Sequence, residues 1–567
     1  MRFCALVGLL VLGAAGLPTP PAPANAGGPA PIAAGAAENP ARVVSEACSR
    51  LTLARLAGHV QYLGRDILRG RAPGTAGGDT AAAYIARRMG EFGLTPLGPD
   101  SSFFQYVPLH GSTSSEESLL RLTRNDSTVK LSLWNDYLLH SAGAQTWVAR
   151  PTPLVFVGYG IVAPEFDYSD YQSVDVDGAI AVFLSGEPPS EDPSYFHGPW
   201  ETMHASPAAK RRLALSRGAR GTILIPSPRR YVSWERRKRD YGFEYLTLAY
   251  GESDNLSLVL NPKAAESLFR GSGHRFADVC RWDSAGAVRS FPLETSISFH
   301  GSFAERDFLS PNVAGLLPGG DPLQADSYVL IVAHYDHLGV GIPVEGDSIY
   351  NGVVDNATGV AALLEIARVY AAGERAPARS MLFLCVTAEE EGQLGARYYC
   401  DHPLVPLYKS VAALNIDGLA FLDTFDDVIA VGGEYSTLSG HAAAAARSRG
   451  LRLAEMPAGL SPREEFTRSD QYIFARAGVP AVLLQEGLHY RNYEVEDAVR
   501  LLLVWGRDVY HSPFDDLHQP LNPAAALQHT QVLATMAGIL AETHAEPQWL
   551  PGAPFAAVRM RSFLERR

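Results

Sequence analysis

The sequence predicts an α/β protein: a three-layer α/β/α domain around a mixed, mostly parallel sheet, with a β-rich unit inserted into it. Three observations lead there. At 567 residues the chain is too long for one hydrophobic core, so more than one domain is expected. From about residue 305, apolar runs alternate with helix-like stretches: "SYVLIVAHYD", "GVAALLEIARVY", "SMLFLCVTA", "SVAALNIDG", "LSGHAAAAARSRG" and "PAVLLQEG". Alternation of this kind is the pattern of parallel strands joined by crossover helices. Between about 145 and 300 the texture differs, with short β-rich runs such as "LVFVGYGIV" and "GAIAVFLSG" set between Pro/Gly/Asp turns.

The elements follow in order. Arg2 precedes a 15-residue apolar stretch, Phe3 to Leu17, and "ANA" ending at Ala26 fits a small-residue cleavage site, so residues 1–26 read as a signal peptide. That stretch is too short to span a bilayer and no other is long enough, so an exported protein, secreted or periplasmic, with no membrane span is expected. Residues 27–44 are a Pro/Ala/Gly-rich linker expected to be disordered. Residues 45–140 form the first part of the α/β domain. In it "GGDTAAAYIARRMGEFGL" offers Asp79 as a helix N-cap and Gly93 as a stop, with Tyr84, Ile85, Met89 and Phe92 on one face. Residues 145–300 form the β-rich insert, in which no titratable cluster reads as a reaction centre, and 301–567 complete the α/β domain. Cys48, Cys280, Cys385 and Cys400 remain after the leader and allow three disulfide pairings, with Cys385 inside an apolar strand as a buried thiol. None lies in a CxxC. The net charge of −13 argues against a nucleic-acid partner, which needs a basic face.

The chemistry concentrates where the apolar runs end. Leu382 to Val386 reads as a buried strand, and Glu389, Glu390 and Glu391 follow it. Elsewhere "IVAHYDHLG" ends a strand with His334 and Asp336, and "YNGVVDNATG" places Asp355 just before a helix. "ALNIDGLA" puts Asp417 at a strand end, and "DVYHSPFDD" supplies Tyr510 and His511. Each alone has an ordinary explanation: an HxD is a common surface pair, Asp355 could cap the helix from Gly359 to Tyr370, and His511 could be a turn residue. Together they are two histidines and several carboxylates at the carboxyl ends of strands, where ligands collect in such sheets, and they are the ligand types of a hydrolytic zinc centre.

"AHYDHLG", "GVVDNATG", "TAEEEGQLG", "NIDG" and "YHSPFDD", in this order, closely resemble the co-catalytic di-zinc aminopeptidases of metallopeptidase family 28, over roughly residues 45 to 540. The insert resembles the family's protease-associated domain through "VGYGI", "VDVDGAIAVFLSGEP" and "GARGTILI". The resemblance implies the zinc-exopeptidase (phosphorylase/hydrolase-like) fold and two Zn²⁺ per chain. Asp355 would bridge them, across a cis peptide bond to Asn356. His334 and Asp417 would complete one site, Glu390 and His511 the other. Asp336, two residues after His334, would orient that imidazole, Glu389 would be the general base, and Tyr510 would stabilise the oxyanion. Two Zn²⁺ on three carboxylates leave a charge that a bridging hydroxide neutralises, and the metals bring the water's pKa toward about 7. Glu391 is left solvated. Two complete shells leave no vacancy for His337 or His489. Ser469 and Asp470, in "TRSDQ", match a family segment but take no role.

The expected activity is therefore release of N-terminal residues from peptides. A glutaminyl-cyclase-like or glutamate-carboxypeptidase-like enzyme, or a non-catalytic binding protein on the same fold, are the alternatives. A carboxypeptidase would need basic residues over the leaving carboxylate, for which "RSDQ" and "YRNY" are the candidates. Side-chain preference and oligomeric state are not legible. The segment "EGLHYRNYEVEDAVRLLLVWGRD" is longer than the family's loop before the last histidine, so the pocket there cannot be copied from relatives.

Overall fold

The computed structural model describes residues 40–564 except 142–146, 193, 197, 199–201, 230–231, 252–254 and 458–461. The expected leader and most of the linker lie outside the described residues. The linker's last part is helical, since a helix runs Pro40–Ser49.

The large sheet runs in the order Tyr245–Leu248, Phe104–Ser114, Phe303–Leu317, Ser380–Val386, Tyr328–His334, Ser410–Asn415, Ala481–Glu486, Asp427–Val431, Arg452–Ala454. Its four central strands, from Ser380–Val386 to Ala481–Glu486, are parallel, while antiparallel strands flank them. Side chains alternate across the pleat. Val329, Ile331, Ala333, Met381, Phe383 and Cys385 face a core beneath helices Leu53–Leu63, Ala76–Glu91, Thr358–Ala371 and Pro523–Glu542. Leu330, Val332, Leu382, Leu384 and Val386 face a second core with helices Leu394–Asp401 and Gln471–Arg476. Both faces are covered, which is why these strands are apolar throughout rather than alternating.

A second sheet takes the order Ser127–Leu131, Leu119–Arg124, Phe291–His300, Trp147–Phe156, Ile180–Leu184, Gly221–Ile225, Leu256–Leu260, Tyr137–Ser141, with its own cores on both faces. It begins at Leu119, earlier than the change of texture near 145. Tyr245–Leu248, inside the inserted stretch, returns to pair with Phe104–Ser114 of the large sheet. Strand pairing sets these boundaries, and it is invisible in local composition.

Helix Ala76–Glu91 is capped by Thr75, whose hydroxyl accepts from the Gly78 amide at 3.2 Å, and not by Asp79. The earlier start is possible because Gly77 and Gly78 lie against the Leu68 and Ala72 carbonyls, where an added Cβ would stand 1.8 and 2.5 Å away. Asp79 falls in the first turn, where a negative charge suits the helix dipole. The four cysteines among the described residues are free thiols. Among these residues no helix is long and apolar enough to cross a membrane.

Candidate metal centre

The polar strand ends converge. His334 closes its strand, Glu389 and Glu390 follow Ser380–Val386 in the adjacent strand's loop, and Asp417 lies two residues beyond Ser410–Asn415 on the other side. Asp355 sits in the turn before helix Thr358–Ala371, and His511 in the turn after helix Val495–Asp508. The Asp355–Asn356 peptide is cis. Asn356, not Asp355, serves the helix: its Oδ1 accepts from the Gly359 amide at 3.0 Å, which leaves the Asp355 carboxylate for the cleft.

That carboxylate faces two ways. Asp355 Oδ1 is 3.2 Å from His334 Nε2, which is also 3.2 Å from Asp417 Oδ1. Asp355 Oδ2 is 3.2 Å from His511 Nε2, which is 3.1 Å from Glu390 Oε2. Two cradles therefore share one aspartate. His334, Asp336 and Glu389 are buried and His511 is nearly so.

The electrostatics follow from the crowding. Burial alone would depress the His334 pKa, yet hydrogen bonds to Asp355 and Asp417 outweigh it and hold the imidazole well above its usual range. His511 is likewise pushed up to about 9, against its burial, by Glu390 and Asp355. Burial would raise Glu390, but His511 and His337 keep it well below the ordinary carboxylate value.

Several sequence expectations change in detail. The strand ends at His334, so Asp336 lies beyond it. Its carboxylate lies 3.8 Å from His334 Nδ1, which instead is 3.2 Å from the Asp336 main-chain carbonyl. Asp336 Oδ1 and Oδ2 accept from the amides of Glu389 and Glu390 at 3.1 and 3.4 Å, so this buried carboxylate, pushed up to about 6 by burial, anchors the glutamate loop. His337, given no role by the sequence, is buried at the centre. Its Nδ1 is 2.7 Å from Glu390 Oε1, and its Nε2 has no hydrogen-bond partner among the described residues. The ligand atoms of His337, Asp355 and Glu390 lie within 4.8 Å of one another, as do those of His334, Asp355 and Asp417. His337 and His511 thus flank the same glutamate on opposite oxygens. His489 is elsewhere, with Nδ1 2.6 Å from Asp427 Oδ2. Ser469 is buried, its hydroxyl accepting from Asn415 Nδ2 at 2.9 Å at the end of the central strand Ser410–Asn415. Tyr510 stacks on the His511 ring, with centroids 3.9 Å apart and planes 20° apart.

Two positioning groups had no clear signal in the sequence. Asp515 accepts from the Val354 amide at 2.8 Å and the Asp355 amide at 3.0 Å, so it holds the turn that presents Asp355. Arg71 is fully buried and donates to the carbonyls of Leu63, Tyr335, Asn351 and Gly352, at 2.5 to 2.8 Å. It ties the N-terminal segment to the loops on either side of His334 and Asp355. The first acid of "FDD" is the one hint of Asp515, and nothing local distinguishes Arg71 from its neighbours Arg65 and Arg69.

The donor set fits divalent zinc. Asp355, Glu390 and Asp417 crowd around imidazole nitrogens with no Lys or Arg bonded to their carboxylates among the described residues, and the donors are the nitrogen and oxygen types zinc takes.

Residues 312–537 match the model described as "Peptidase family M28". The segment belongs to peptidase family M28. Aminopeptidase NAALADL1 of Mus musculus is 33% identical over 135 residues, which is 23% of this chain and 16% of that protein. A probable zinc metalloprotease of Pyrenophora tritici-repentis is 37% identical over 112 residues, 20% of this chain and 23% of that protein. The chain thus spans less than a quarter of either relative's length. The solved aminopeptidase from Aneurinibacillus sp. strain AM-1 shares the fold, with a TM-score of 0.54 and 20% identity over 89% of this chain and 97% of that one. The M28 segment carries His334, Asp336, His337, Asp355, Glu389, Glu390, Asp417, Tyr510 and His511.

Proposed function

We propose that this protein is a zinc-dependent aminopeptidase that uses two metal ions. The observation that carries the proposal is the Asp355 carboxylate standing between two histidine–carboxylate cradles, one oxygen to each. In this reading His334, Asp355 and Asp417 hold one ion and Asp355, Glu390 and His511 the other. Bound there, zinc would polarise the scissile carbonyl and make a water nucleophilic near neutral pH.

The residues then divide the remaining work. Glu389, buried and anchored through its amide by Asp336, takes the proton of the attacking water and delivers it to the leaving amine nitrogen. The Tyr510 hydroxyl donates to the oxyanion as the carbonyl carbon becomes tetrahedral. Asp515 and Arg71 keep the loops in register. Of the basic candidates for a carboxypeptidase, Arg468 lies 3.5 Å from Glu465 and Arg491 3.9 Å from Asp426. We further propose that residues 1–26 are a leader for export and that the β-rich unit is a protease-associated domain.

Hydrolysis of a panel of aminoacyl nitroanilides tests the reading. Activity should vanish on chelation and return with zinc. Zinc-loaded protein that cleaves none of them, yet releases the C-terminal residue of acidic peptides or cyclises N-terminal glutamine, would overturn it.

A further inference from the structure

We propose that Arg236, a residue of the inserted unit, is a positioning residue for the metal centre: it sets the turn that presents His511. The proposal rests on the reading of His511 as a metal ligand. Arg236 lies on helix Trp234–Asp240 and its side chain is 14% exposed. One guanidinium nitrogen donates to the Arg507 carbonyl at 2.9 Å and the other to the Tyr510 carbonyl at 2.9 Å, while Nε donates to Asp240 at 3.2 Å. The acceptors are carbonyls at and just past the end of helix Val495–Asp508, which the helix itself cannot satisfy, and a cation there suits its dipole.

The Tyr510 carbonyl is half of the peptide unit that joins Tyr510 to His511. Its direction is coupled to the φ of His511, and that φ is +50°. A non-glycine residue in the left-handed region is strained and persists only where its surroundings over-determine it. The surroundings do so from two sides. Arg236 holds the carbonyl, and the Tyr510 amide bonds to the Trp505 carbonyl at 3.0 Å. The rings are held by a ladder from Phe421 through Trp505 and Tyr510 to His511, with centroid spacings of 4.9, 5.7 and 3.9 Å.

Arg236 has a firm base from which to act. A few residues on, Phe243 packs edge-on against Tyr350, on the hairpin that leads to Asn351 and Asp355, with centroids 4.9 Å apart. Tyr245–Leu248 then pairs with the large sheet. The inserted unit is thus fixed to the peptidase sheet within ten residues of the arginine. A lysine could reach only one of the two carbonyls at a time, because it lacks the planar fork.

The test compares Arg236→Gln, Arg236→Lys and, as a control, Arg229→Met, which breaks the insert's own ion pair with Asp283. Zinc binding to chelator-stripped full-length protein is measured by calorimetry, amide exchange is followed over residues 505–512, and kcat and KM are read on an aminoacyl nitroanilide. Loss of a group that orients a ligand should weaken the second zinc and lower kcat by about 10- to 100-fold. KM should stay near the wild-type value and exchange should quicken at 509–512. Arg236→Lys should fall between, and Arg229→Met should leave zinc affinity and these amides as in the wild type. Unchanged zinc affinity and exchange in Arg236→Gln would overturn the proposal, as would an equal loss in Arg229→Met. If Arg236→Gln does not fold, Arg236→Lys decides by the same readouts. If the wild type cleaves no peptide, zinc affinity and exchange still decide Arg236, so the two readings fail separately.

Discussion

Two of the buried polar clusters among the described residues, one in each sheet-built unit, are finished differently. In the inserted unit Asp170 accepts from the amides of Tyr159 and Ile161 and the Tyr168 hydroxyl, at 2.7 to 3.1 Å. Asp283 accepts from the hydroxyls of Tyr159 and Ser227 and from Arg229, at 2.6 to 2.9 Å. Glu187 accepts from the amide and hydroxyl of Thr202, and the buried Lys210 ammonium donates to the carbonyls of Leu184 and Gly186. Every carboxylate there has N–H or O–H donors, so the cluster is closed. At the candidate metal centre Asp355, Glu390 and Asp417 face imidazoles and one another. Arg71, the buried cation nearby, bonds only to neutral carbonyls. A cluster whose carboxylates are matched only by imidazoles, which can exchange their protons for a metal, is suited to completion by cations.

The largest effect expected is on turnover. On the proposed assignment Glu389→Gln removes the proton acceptor and no ligand, so kcat should fall by roughly 10³-fold while zinc content stays at its wild-type level. Loss of metal in that variant would mean that Glu389 and Glu390 have exchanged roles. The matching test of the closed cluster is Lys210→Met. Removing the amine leaves the buried Leu184 and Gly186 carbonyls without their donor and should cost about 1–3 kcal/mol of stability by denaturant unfolding, with zinc affinity unchanged. A variant as stable as the parent would show that these carbonyls do not depend on the Lys210 donor.

A smaller effect is expected at His337. Its Nδ1 lies on Glu390 Oε1, while Oε2 faces His511. His337→Ala should weaken the second zinc by about 10-fold, and His337→Asn, which restores a donor near Nδ1, should recover most of it. If His337→Asn loses the metal as completely as alanine does, His337 is itself a ligand.

The fold was legible because both faces of the central strands are buried, which makes the apolar runs continuous and their polar ends conspicuous. His334, Asp355, Asp417 and Glu390 were legible for the same reason, since each stands next to such a run or to a helix start, whereas His511, in the turn after helix Val495–Asp508, was legible only through the motif "YHSPFDD". What stayed hidden is set by distant pairing. Arg71 acts on loops more than 260 residues further along the chain, and Arg236 reaches Tyr510 from another unit. Asp336 was placed correctly in sequence, but its work depends on the strand stopping at His334, which side-chain pattern alone does not decide. His337 was passed over because complete shells were counted by formula, whereas the folded loop turns its ring onto Glu390.

The smallest effect sharpens the comparison inside a single triplet. Glu389, Glu390 and Glu391 are chemically identical neighbours, and only their surroundings assign them work. Glu389 and Glu390 have their amides held by Asp336, and the Glu390 carboxylate lies between two histidines. Glu391 is only partly buried and lies past that anchor. Removing its charge should therefore leave the cradles intact: Glu391→Gln should shift stability by less than about 0.5 kcal/mol, as at a surface position, with zinc content unchanged. A marked loss of zinc in that variant would mean that the negative field of the whole triplet, and not the two anchored carboxylates, holds the second ion. The division drawn between a closed cluster and an open one would then have to include charges that touch no ligand.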